Sequence, residues 1–213
     1  MTALPAPAGV RAPLLVVLGS PSRLFASLDR DGAARPVVLL LLAVLPLAPL
    51  LTGVVAADAL AREFAADPET VDLVPNAPFI AVALGVAALV LQLVLLLMHL
   101  LVFSLSVRVA GTEATVRRIT TAWLFAILPL VLRQVVISAV TLVAGAEWYA
   151  ERSWLVQMAD PFLVWTAVLL FLACRRALGL GRTASLVVTF LSSFVGLLSP
   201  LAEAVLGLSL IHI

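Results

Sequence analysis

The sequence predicts an all-α fold: a polytopic membrane helix bundle with five transmembrane helices and a short interfacial N-terminal helix. Three observations lead there. The 213 residues are 63% hydrophobic and 12% charged, where a soluble domain is about half apolar and a quarter charged, and the mean hydropathy is +1.20. Three uncharged runs of 22, 30 and 20 residues, Pro36 to Ala57, Pro78 to Val107 and Thr183 to Ala202, are long enough to cross a hydrocarbon layer of about 30 Å. Two further runs, each broken by one charge, bring the count to five, and the arginines alternate from side to side of those five.

Residues 1–13 are rich in Ala and Pro, and residues 1–19 are expected to form a disordered arm. In "SPSRLFASLDRDG", Ser20 can cap a helix, Pro21 fits its first turn and Gly32 stops it. Leu24, Phe25 and Leu28 share one face of that helix, which suits the membrane interface; a plain surface linker is the alternative. A secretory leader is not expected, since only Arg11 precedes the short apolar stretch and no small-residue cleavage site follows it.

The first span carries Pro46 and Pro49 and is expected to kink. "DALAREFAADPETVDLVPN", with five acidic residues and one arginine, reads as an acidic loop, which excludes a nucleic-acid surface there. The second span is longer than a bilayer needs, so it tilts or protrudes. The third is the problem case. Fourteen uncharged residues separate Arg118 from Arg133, and thirteen separate Arg133 from Glu147, so neither piece spans alone. A crossing puts Arg133 near mid-depth at a cost of about 2.5–3.5 kcal/mol, which the surrounding Leu, Ile, Val and Phe residues offset at about 0.3–0.6 kcal/mol each.

The fourth segment starts with Asp160 as N-cap and Pro161 as first helical residue, and Arg175 and Arg176 reach back to the opposite interface. The fifth begins after Arg182 and ends near Glu203. Counted along this arrangement, with Arg108 assigned to the second connection and Arg133 left out as intramembrane, arginines number four before the first span, then one, three, one and three in successive loops and none after the last. Positive-inside therefore predicts a cytoplasmic N-terminus and an external C-terminus.

The chain resembles the Yip family of Ypt/Rab-interacting proteins, and in particular its bacterial type. "PSRLFASL", "GTEATVRRITTAWLFAILPLVLR" and "DPFLVWTAVLLFLACRRALGLGRTASL" carry the resemblance, above all the order Gly111, Arg117, Arg118, Trp123, Phe125 and Pro129. It implies a five-span membrane domain over residues 20–206 with a cytoplasmic N-terminus, in a bacterial plasma membrane. An arginine-only basic set and an Ala, Leu and Val bias suit a GC-rich bacterial gene. Eukaryotic members are linked with small GTPases and vesicle traffic, machinery that bacteria lack, so the resemblance carries fold further than function. The final "LSLIHI" resembles translated adapter sequence, which sets residues 207–213, with His212, apart from the domain.

Few residues offer chemistry. No lysine is present, which excludes a phosphate-loop lysine or a Schiff base. One cysteine and two distant histidines argue against a disulfide or a metal site. No cofactor and no enzymatic activity are expected. The candidate intramembrane residues are Arg133, Pro129, Gln92, Asp160, Glu203 and His99. Pro129 removes a donor from the Phe125 carbonyl, and Arg133 leans back over that turn, so it can supply the missing hydrogen bond. The functional alternative is a charge on an ion or substrate path, with Gln92, Asp160 or Glu203 as partner.

His99 is expected to pack or hydrogen-bond rather than ligate a metal. Cys174 reads as an apolar thiol, with juxtamembrane acylation as the alternative. "GLGRTA" follows no strand and is discarded as a dinucleotide motif. Ala81 with Gly85, and Ser192 with Gly196, offer small-residue faces for close helix packing, open also to a homo-oligomer or a protein partner, and Trp148, Tyr149 and Trp154 suit an aromatic belt. The expected role is a non-enzymatic membrane-organising or partner-binding scaffold in the lipid bilayer; the alternative is a small transporter or channel subunit.

Overall fold

The computed structural model describes residues 20–26, 44, 50–51, 53–54, 57–144 and 160–194. The expectations for the N-terminal arm, Leu28, Pro46, Pro49, Trp148, Tyr149, Trp154, Gly196, Glu203 and His212 lie outside them. The described residues are mostly helical and contain no strand. In chain order the elements are α1 (Pro21–Ala26), α2 (residues 57–66), a 3-10 turn (Val71–Asn76), α3 (Ala77–Val109), α4 (Val116–Ala126), α5 (Leu128–Ala144), α6 (Pro161–Leu172) running into a π turn (Ala173–Ala177), and α7 (residues 182–194). Val71–Val109 and Val116–Val140 are long and apolar enough to cross a membrane.

The acidic segment is less of a loop than its charges suggest. "DALAREFAA" is built of good helix formers, and residues 57–66 are helical before Asp67 closes a turn by accepting from the Glu69 amide at 2.9 Å. α3 follows, with Pro78 in its first turn, where a missing N–H costs nothing. Its 33 residues extend about 50 Å. Gly111, at φ +84°, ends it in a left-handed turn that a side chain would strain, its amide bonded to the Arg108 carbonyl at 3.0 Å.

The third segment is broken at Ile127 into two helices. α4 starts at the Thr115 cap, whose hydroxyl accepts from the Arg118 amide, and ends at Ile127. The Leu130 amide turns back to the Ile127 carbonyl at 2.9 Å. Pro129 thereby becomes the second residue of α5, where first-turn amides have no intrahelical partner to lose. α6 starts as its sequence predicts, with Asp160 capping and Pro161 first.

The core lies toward one end of the bundle. Phe103 and Val107 from the last turns of α3 pack with Ile119, Trp123 and Phe125 of α4, Leu169 and Leu170 of α6, Cys174 of the π turn and Val188 of α7. Phe25 belongs to the same cluster and is fully buried. α1 packs on α6 and the π turn, so Phe25, one of the three residues of the expected interfacial face, meets protein.

The Ala81 and Gly85 face serves close helix packing, and does so within the chain. Both residues are buried, and a Cβ added at Gly53 would sit 2.7 Å from the Ala81 carbonyl oxygen and 3.3 Å from the Gly85 Cα. The small residues admit the first segment's backbone within the chain, so this face is not free for a second copy.

Candidate functional site

Asp160 is held at the start of α6 by its own capping geometry. Its Oδ1 accepts from the Phe162 amide at 2.8 Å, which leaves Oδ2 directed at the neighbouring helix. There the Nε of Arg133 donates to it at 2.6 Å, and the two side chains are 7% and 14% exposed. One carboxylate thus caps a helix with one oxygen and neutralises an arginine with the other. α5 and α6 pack closely along this seam. The bond is charge-assisted, and such bonds are about twice as strong as neutral ones.

Of the three partners that the sequence offers Arg133, the structure brings Asp160 to it: the Nε is aimed across to the next helix, 27 residues further along the chain. Pro129 is itself fully buried and sits where its ring ends one helix and begins the next. Gln92 is half-buried on α3, and among the described residues the structure does not bring it to Arg133.

The contact sets the two charges at the same level of the bundle.

Nearer the end bearing the 110–115 and 178–181 loops, His99 of α3 meets Trp123 of α4 edge to face, with ring centroids 5.9 Å apart and planes at 82°. Both rings are buried. The contact joins the second and third segments by aromatic packing. Cys174 is fully buried beneath α1, a position that keeps its thiol from the surface acylation needs. No group of three or more His, Cys, Asp or Glu side chains fit to hold a metal occurs among the described residues.

One link was missed in the sequence. The Thr112 hydroxyl donates to the Leu178 carbonyl at 2.9 Å across 66 residues, tying the α3–α4 turn to the α6–α7 turn. Arg175 Nη1 donates to the Leu180 carbonyl at 2.9 Å, and Gly179 takes φ +69°. A threonine after a helix-ending glycine was the available signal, but nothing local says which carbonyl it meets.

The Yip1 domain family matches residues 15–202. The chain belongs to the Yip1 domain family. The match spans every described element, so the Arg133–Asp160 seam and the Thr112 tie both lie inside the Yip1 domain. No curated protein and no solved structure matches the chain.

Proposed function

We propose that this Yip1-domain chain is a five-span protein of a bacterial plasma membrane, with its N-terminus cytoplasmic and its C-terminus outside, acting as a non-enzymatic membrane-organising or partner-binding scaffold. The observation that carries the scaffold role is the Arg133–Asp160 pair. A charge on a transport path must be free to meet its cargo, whereas this one is spent on a helix-to-helix tie whose carboxylate also caps α6. Topology draws support from α1, which precedes the first span and packs on the π turn that ends the fourth. Two segments separated by four crossings belong on the same side, and the Thr112–Leu178 bond adds the turn after the second crossing to that side.

Two experiments test the reading. Reporter fusions after Leu60, Gly111 and Gly181 are expected to read outside, inside, inside; an outside signal at Gly111 would defeat the topology. Copurification in mild detergent is expected to yield a stoichiometric protein partner, while substrate-dependent flux in liposomes would overturn the scaffold role in favour of transport.

A further inference from the structure

Charge is divided sharply between the two ends of α3. At its N-terminal end, Asp58, Glu63, Asp67, Glu69 and Asp72 are all exposed, with Arg62 as the one cation between them. At the other end, about 50 Å away by helical rise, the Thr112–Leu178 bond gathers Arg108, Arg117, Arg118, Arg175, Arg176 and Arg182, every one within six residues of Thr112 or Leu178. Glu113 is the single acid in residues 108–118 and 175–182. Arg108, Arg117, Arg175, Arg176 and Arg182 are exposed.

We propose that this arginine-rich end is a docking surface for the phosphate headgroups of anionic lipids in the leaflet it faces. Three features support it. The surface lies where the membrane segments emerge, so headgroup phosphates are the anions at hand, and guanidinium groups bind phosphate bidentately. The arginines stand on a braced platform, since Thr112 joins the two turns and Arg175 holds the Leu180 carbonyl. Finally, Arg182 opens α7, where a cation opposes the helix dipole, an unfavourable placement that an external anion offsets. Retention of positive charge during insertion explains the sign of this end, but it acts on the nascent chain and asks nothing of the folded surface.

The inference rests on the membrane reading and not on the scaffold role, and its test needs no protein partner. In vesicles of phosphatidylcholine, spin-labelled phosphatidylglycerol is expected to associate with the protein in preference to spin-labelled phosphatidylcholine by roughly fivefold, the effect of one interfacial arginine or more. Raising the salt concentration should shrink the preference. The variant carrying Arg108→Gln, Arg176→Gln and Arg182→Gln should bring it toward unity, while the three matching lysine substitutions retain most of it. Reporter fusions at Gly111 and Gly181 verify that each variant keeps its orientation; if the triple variant does not insert, Arg182→Gln alone and the salt titration of the unaltered protein decide. No preference in the unaltered protein, or a preference untouched by the glutamine substitutions, overturns the proposal. Displacement of the labelled lipid by inorganic phosphate alone would also overturn it, by making the surface a soluble-anion site.

Discussion

α3 and the α4–α5 segment are both apolar enough to span a membrane, yet they treat their side chains in opposite ways. In α3 only 11% of the most apolar stretch is buried by protein; in Val116–Val140 the share is 56%. α3 leaves Val90, Leu93, Val94, Leu97, Leu101 and Leu105 exposed and carries no charge between Asp72 and Arg108. The α4–α5 segment is interrupted at Ile127, walled by α6, and carries Arg133. The lesson is physical. A helix facing lipid must stay regular and uncharged because lipid satisfies neither backbone nor charge. A helix covered by protein tolerates a break and an arginine because neighbours supply the partners.

The sharpest way to break this comparison is to remove the partner that makes the charge tolerable. Arg133→Leu leaves the Asp160 carboxylate buried without its cation and is expected to lower stability by about 3–5 kcal/mol, read from melting or denaturant curves in detergent. Adding Asp160→Asn, which keeps a capping side chain, should recover much of the loss. Adding Pro129→Ala instead should recover none. Rescue by the proline replacement would favour the view that Arg133 serves the proline turn.

Core packing gives the next largest effect. Leu128, 1% exposed at the start of α5, should cost about 2–5 kcal/mol when truncated to Ala. A loss below 1 kcal/mol in the same assay would mean that this segment is not protein-covered in solution.

Gly53→Ala probes the place where the N-terminal half of α3 is buried. The new methyl would lie 2.7 Å from the Ala81 carbonyl oxygen, so the segments must part, at about 1–3 kcal/mol. An unchanged melting temperature would show that the first segment does not rest on the Ala81 and Gly85 face.

The smallest effect is the control. Leu97 is 67% exposed, and Leu97→Ala is expected to change stability by no more than about 0.5 kcal/mol. A loss matching that of Leu128→Ala would place an unrecognised partner on this side of α3.

Much of the architecture was legible because it depends on nearby residues. Composition and uncharged run lengths gave the membrane class. Asp160 followed by Pro161 marked the start of α6, since a cap is chosen within a few positions. Long-range choices were not legible. α3 is apolar on every side, so its sequence carries no phase to say which face turns inward, and only the bundle assigns Ala81 and Gly85 to Gly53. Likewise nothing near Arg133 names Asp160. Their meeting depends on two helices reaching the same height and the same rotation, and a break at Ile127 lies on the path to one of them. The sequence determined that a charge in this segment needs a partner, because an unpaired charge in a low-dielectric interior is too costly; tertiary packing decided which carboxylate that partner is.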